Sequence, residues 1–351
     1  MMQQREYTVR FNTPAFLGNA QQSGQWRTPP FKALIRQWWR VAYAAQNQFN
    51  VNVTEMREQE GALFGSVHTD LICKSRVRLR LSEWNPGTLP QWPGNGPHVN
   101  HPEVGNGPNG MNVSADLYLG YGPLRFNAGQ TSLQADKFAI NEGETANLLI
   151  AVPENEAELI WQALWLMDRY GTVGGRSRNG WGSFSLQRIA PEGADAYQVA
   201  QFSRPFVAAL NLDWPHAIGQ RIWQTQIHTN WRDLMQTLAR LKIGYRTQFP
   251  FQGGHQRQPA DRHWLAYPVT NHKVNAWGNQ TRLPNSLRFK IRRQNNNQYV
   301  GVIFHVPCRP PAELNPNGGQ ITDVWNRVYE YLSHQNQRLK VINVQAENNH
   351  A

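Results

Sequence analysis

Only two cysteines, Cys73 and Cys308, occur in the 351 residues. They are too few and too far apart in sequence for a disulfide framework, so a reducing cytoplasm is the expected location. No apolar run approaches the ~18 residues that suggest a membrane span, and the start MMQQREYTVRF lacks a signal-peptide core. The chain is therefore expected to be soluble, not exported and without a membrane partner. Metal and nucleotide signatures are missing too. His98 and His101 are separated by two residues but have no cysteine nearby, the two cysteines form no CxxC pair, and no Walker-type loop occurs. Neither a metal nor a cofactor is expected.

Acidic residues are also scarce. Lys+Arg number 35 against 24 Asp+Glu, a formal net charge of +11, which favours a polyanionic partner, with nucleic acid first among candidates. Lysine itself is rare, 7 of those 35 cations, so the charge resides mostly in arginine, whose planar fork suits bidentate phosphate contact and base stacking. A basic surface that merely aids solubility is the plainer alternative. The apolar fraction of 40% suits globular domains, and the chain length favours two of them.

Tyr7, Val9 and Phe11 alternate as an opening strand ending at Thr13-Pro14. Thr28-Pro29 then starts a helix in which Phe31, Leu34, Ile35, Trp38, Trp39 and Ala42 form the apolar stripe, with Lys32, Arg36 and Arg40 on another. A second helix is expected near Glu55–Phe64. Arg76, Arg78 and Arg80 alternate with Val77, Leu79 and Leu81, predicting a strand with one arginine face. Twelve of the 27 residues from Trp84 to Gly110 are Gly or Pro, so this stretch reads as an insertion or long hairpin loop. Apolar patterning returns at Asp116–Tyr121 and Lys137–Ile150. Asn155 with Glu158 is expected to cap a helix that buries Ile160, Trp161, Leu164, Trp165 and Met167, and a strand from about Ser183 closes the unit.

Strand, helix, strand, strand, helix, strand is the ferredoxin-like order used by RRM domains. A linker over Pro191–Gln201 leads to a second unit. Its signals are a helix with Trp231, Leu234, Met235, Leu238 and Leu241, then a strand alternating Leu287, Phe289, Ile291 with Arg288, Lys290, Arg292. A turn at Asn295–Asn297, a return strand Tyr299–Val306 and a closing helix Ile321–Leu332 follow, with a frayed tail after Glu347. The expected class is α+β: two tandem ferredoxin-like (RRM-like) domains with long loop insertions, residues 1–190 and 191–351.

The most informative stretch is GTVGGRSRNGWGSF, Gly171–Phe184, with five glycines in fourteen residues. Backbone without Cβ can approach a phosphate or sugar closely, and Arg176 and Arg178 bring charge to the same place. A tight turn with solvated arginines is the alternative. Together with FNTPAFLGNA at Phe11–Ala20 and RTPPFKALIRQWWRVAY at Arg27–Tyr43, this loop resembles the RAMP superfamily of CRISPR-associated proteins. More narrowly it resembles the first subunit of the type III-B, or Cmr, effector complex, and RLPNSLRFKI at Arg282–Ile291 is similar to that subunit's second RAMP domain. Asn19 departs from that pattern, standing where a second glycine is expected.

The resemblance implies two RRM-like RAMP domains and no catalysis, since target cutting in that family belongs to the repeated backbone subunits. It also implies a place near the 3′ end of the guide RNA, assisting capture of complementary target RNA, with other RAMP subunits as partners. The RNA-binding residues expected on it are Arg176 and Arg178, with Gly174, Gly175, Gly180 and Gly182 shaping the loop, then Lys32, Arg36 and Arg40. Trp38 and Trp39 read as core. The basic strand faces Arg76/Arg78/Arg80 and Arg288/Lys290/Arg292 could meet RNA, a neighbouring subunit or solvent. Two other functions stay open: a RAMP-type endoribonuclease using one of the loop histidines His68, His98, His101, His255, His263 or His272 as general base, and a purely structural capping subunit.

Overall fold

The computed structural model describes residues 1–68, 71–105, 107–134, 137–189, 197–251, 254–294 and 297–344. The expected boundary at 190/191, most of the linker, the turn residues Asn295 and Asn296 and the tail after Glu347 lie outside the described residues. The protein is a mixed helix and strand structure built around two four-stranded antiparallel sheets.

The first sheet is made by β1 (Met2–Phe11), β2 (Arg78–Leu81), β3 (Thr145–Pro153) and β4 (Phe184–Arg188), in the spatial order β4-β1-β3-β2. The register pairs Val9 with Leu186 and Tyr7 with Leu148, which puts the apolar sets of three strands on one face. Helices α1 (Thr28–Gln46) and α3 (Ala157–Tyr170) cover that face, and α2 (Val53–Phe64) follows α1. Phe31, Leu34, Ile35, Trp38, Trp39 and Ala42 of α1 are all buried, as their helical spacing predicts. In the second half, β5 (Arg221–Thr225), β6 (Leu287–Arg293), β7 (Tyr299–His305) and β8 (Leu339–Asn343) assemble in the order β6-β7-β5-β8, with α4 (Trp231–Thr247) and α5 (Gly318–Ser333) between strands. In both sheets the fourth strand lies beside the first and the second strand forms an edge.

Three expectations are corrected by local hydrogen bonds. Asn155 does not cap α3: a 3-10 turn, Glu154–Glu156, leads in, and the Asn155 amide donates to Glu156 Oε1 instead. The arginine-faced strand begins at Arg78, not Arg76, because the N–H groups of Arg76 and Val77 both donate to the Leu63 carbonyl at the end of α2. The stretch Trp84–Gly110 is not all loop. It supplies the strand His98–His101, which pairs with Met111–Ser114, and a helix (Ala115–Gly120) and a second hairpin (Leu124–Asn127 with Gln130–Leu133) follow.

Two apolar clusters form the interior, and each draws on both halves of the sequence. One joins Val9, Trp38, Trp39, Leu148 and Ile160 to Ile222, Val302 and Phe304. The other packs Trp92, Leu119, Leu124 and Trp181 against Trp223, Leu234, Phe289 and Trp325. The long insertion of the first half thus helps to bury the second.

Candidate nucleic-acid interface

Three stretches distant in sequence are fastened side by side. After β1 the chain turns along residues 138–140, where Ala15 and Ile140 exchange backbone hydrogen bonds and the Gly24 N–H donates to the Phe138 carbonyl. Asn19 closes the turn between, its Oδ1 accepting from the N–H groups of Gln21 and Ser23, so asparagine does locally what a glycine was expected to allow. Arg27, just before α1, donates to the Gly18 carbonyl at 2.8 Å. The glycine-arginine loop is tied to the same place, for Gly175 N–H donates to Phe16 O and Gly182 N–H to Pro14 O.

Between them opens a cleft of about 530 Å³, lined by Phe16, Gly18, Pro30, Pro123, Phe138 and Gly174 among others. Gly175 and Lys137 line it too, and a second cleft of about 570 Å³ shares Lys137 and Phe138. The aromatic wall is partly accessible, Phe138 being 39% exposed. Lys137 donates to the Gln21 carbonyl, which keeps its charge at the rim. Arg176 is exposed beside the cleft, its Nε donating to the Tyr121 carbonyl. Its φ of +55° lies in the left-handed region that residues with a Cβ seldom adopt, a strain often found at functional positions. A cation, apolar walls and exposed backbone in one place can take a phosphodiester and an unstacked base.

The remaining glycines of the loop do other work. Gly180 and Gly182 are buried with φ of +93° and +62°, and a Cβ would sit 2.6 Å from Ile291 Cδ1 at the first and 1.9 Å from Val173 O at the second. Packing, rather than approach to a ligand, requires glycine there. Arg178 turns inward. Burial pushes its guanidinium below the usual arginine range, and the buried Arg288 lies close by. Of the loop residues expected at RNA, Gly174, Gly175 and Arg176 therefore meet at the cleft.

Arg36 and Arg40 are held elsewhere, on the carboxylate of Glu60, at 2.8 and 2.6 Å. Burial pushes the Glu60 carboxyl up, but hydrogen bonds from Arg40 and Arg36 outweigh it and keep it below the usual carboxylate range. Lys32 is half-buried, its pKa lowered by burial and then by Arg36. Arg78 and Arg80 project into solvent from the edge strand β2.

Of the basic residues of β6, Arg288 and Lys290 face none of the three surroundings expected for them. Lys290 is fully buried and donates to the carbonyls of Gly171 and Phe184, at 2.6 and 2.5 Å, in the first half. Burial lowers its pKa to about 7 and that of the buried Arg288 to about 9. Arg292 donates to the Arg169 carbonyl at 2.9 Å. The two halves meet through these cations.

No histidine lines the 530 Å³ cleft among the described residues. His101 and His263 are buried, their Nδ1 atoms accepting from the N–H groups of Glu103 and Ala260. No group of three potential metal ligands occurs, and no helix is long and apolar enough to cross a membrane, both among the described residues. Sequence reasoning missed Lys137 and Phe138, which follow a weak hairpin signal and acquire meaning only beside Phe16.

No curated protein matches the sequence. The crystal structure of Cmr1 from Pyrococcus furiosus in its apo form is similar, with 14% identity, a TM-score of 0.49 and coverage of 97% of this chain and 98% of that one. A cryo-EM structure of the Type III-B Cmr-beta bound to cognate target RNA is similar at 10% identity and TM-score 0.48, covering 93% and 99%. A Type IV-B CRISPR complex contains a chain similar at 12% identity and TM-score 0.31, covering 55% and 94%. The family model of the RAMP superfamily matches residues 8–185, a little over half the chain and including all three stretches that meet at the cleft. The chain belongs to the RAMP superfamily.

Proposed function

We propose that the protein is a non-catalytic, RNA-holding subunit of a type III-B CRISPR effector complex, comparable to Cmr1 and built from two ferredoxin-like, RRM-like domains divided near residue 190. It sits near the 3′ end of the guide RNA and assists capture of complementary target RNA. One observation carries the reading. The first two motif stretches and the glycine-arginine loop, far along the chain from them, line or adjoin a single open cleft, and the cation Arg176 at its rim has no carboxylate within ion-pair distance among the described residues. The strand orders of the two sheets support the domain assignment, each being that of a split βαβ unit. The surplus of positive charge supports a polyanionic ligand.

The test is binding of labelled, unstructured single-stranded RNA to the purified chain over a range of salt concentrations. Salt-sensitive binding is expected, with Arg176→Ala lowering the slope of log affinity against log salt by about 0.7 and the RNA left at full length. An unchanged slope removes the loop from the site. Shortened RNA supports the nuclease reading, and no binding supports a structural cap.

A further inference from the structure

Away from the glycine-arginine loop, a cleft of about 610 Å³ opens where the end of α4 meets the 3-10 turn Asp261–Trp264 and α5. Gln248, Phe249, Gln256, Arg257, Asp261 and Arg327 line it, and it shares no lining residue with the first cleft. Three contacts fix the Arg327 guanidinium. Its carbon lies 4.3 Å from the centroid of the buried Phe249 ring, Nη2 donates to the Gln248 carbonyl at 2.9 Å, and Nη1 donates to Asp261 Oδ2 at 3.4 Å. Asp261 is itself held, its Oδ1 accepting at 2.9 Å from the amide of Gln320, two turns before Arg327 on α5. Both partners stay accessible, for the Arg327 side chain is 47% exposed and that of Asp261 42%. With Phe249 behind it, the guanidinium offers its remaining surface to the cleft. Arg257 differs, being exposed and having no carboxylate within ion-pair distance among the described residues.

These groups select among ligands. Two arginines against one carboxylate make the lining positive, yet a bare anion would meet the Asp261 oxygens as well as the cations. A fixed guanidinium backed by an aromatic ring is a platform on which a nucleobase stacks. A carboxylate oxygen that accepts one hydrogen bond keeps a second lone pair, and that lone pair takes the exocyclic amine of a base such as adenine or cytosine. The cation without a carboxylate partner suits the phosphate. We infer that this cleft binds a nucleotide with an amino-bearing base: the base lies on Arg327, its amine on Asp261 and its phosphate on Arg257. The nucleotide is either free or one unit of a single strand, since the same groups serve both. The site does not depend on the RNA-holding reading of the first cleft.

The experiment titrates the full chain with AMP, CMP, UMP and inorganic phosphate, and with labelled oligo(A) and oligo(U) of about 12 nucleotides. The variants are Arg257→Gln, Arg327→Lys, Asp261→Asn and, for the first cleft, Arg176→Ala. AMP and CMP are expected to bind about tenfold more tightly than UMP. Arg327→Lys keeps the charge but loses the plane, and is expected to weaken AMP about tenfold. Asp261→Asn is expected to abolish the preference over UMP. Arg257→Gln, at an exposed position, carries the test should the other variants not fold, again with about a tenfold loss. Binding of AMP itself supports the inference with a free nucleotide as ligand. Binding of oligo(A) alone, weakened by the same variants, supports it with one unit of a strand. Wild-type affinity in Arg257→Gln and Arg327→Lys overturns it, and loss of oligo(A) binding in Arg176→Ala then leaves the RNA-holding reading standing. UMP bound as tightly as AMP overturns the role of Asp261. Inorganic phosphate that displaces AMP at equal concentration overturns the nucleotide, and absence of any binding by the wild type overturns both readings.

Discussion

The two edge strands β2 and β6 hold the same position in sheets of the same order, and both alternate basic with apolar residues, yet they treat their charges in opposite ways. On β2, Arg78 and Arg80 stand in solvent, where charged side chains blunt an edge against pairing with other chains. On β6 the corresponding edge is covered by the glycine-arginine loop: the Phe289 N–H donates to the Arg178 carbonyl and the Ile291 N–H to Ser183 Oγ. Arg288 and Lys290 are enclosed as a result. A basic stripe on a strand therefore reports neither exposure nor ligand. What decides is whether another part of the chain offers carbonyl oxygens in place of water.

The sharpest way to break the comparison is Lys290→Ala, which leaves the Gly171 and Phe184 carbonyls without their donor and opens a cavity. A loss of about 3 kcal/mol in denaturant unfolding is expected. Lys290 also gives a pH signature. Its pKa is lower folded, about 7, than the ordinary 10.5, so the unfolded chain binds more protons between those values and stability rises with pH across that window. Lys290→Met is expected to flatten that rise. Gly180→Ala places a methyl against Ile291 at a positive φ and so lifts the loop from β6, for about 2 kcal/mol.

Glu60 is the intermediate case, a buried acid holding two half-exposed arginines of α1. Glu60→Gln is expected to cost about 1–2 kcal/mol near neutral pH. Its folded pKa lies below the ordinary 4.5, so its contribution is present above that value and fades as pH falls through the folded pKa. The variant should lose that part of the acid dependence, which a pH series of unfolding curves measures. The smallest effect belongs to Arg78→Ala and Arg80→Ala, within about 0.5 kcal/mol each. A cost on β2 equal to that on β6 would erase the distinction between the strands.

Much of the architecture was legible in the residues themselves. The stripe of α1 and the alternation of β1 and β3 are local periodicities that any packed neighbour would respect. The Gly171–Phe184 loop stood out by its own glycines and arginines, but its convergence with the Phe11–Ala20 stretch was not legible, since spacing alone could not bring together segments about 160 residues apart. What stayed hidden depended on distant partners. The burial of Lys290 requires carbonyls more than 100 residues away, and the roles of Gly180 and Gly182 require Ile291 and Val173 as neighbours. The hydrogen bond from Lys242 of α4 to Asn179 of the loop likewise joins residues 63 positions apart.

The seam between the glycine-arginine loop and β6 also governs how the chain can be cut. Strand-like pairing of Asn179 with Phe289, the Lys290 contacts and two shared apolar clusters cross it. A protease that severed the connection near residue 190 would yield two fragments that stay bound to one another under native conditions and part only in denaturant. Expressed alone, the N-terminal fragment would not keep the loop in its present shape, because the surface against which it is moulded belongs to the other piece.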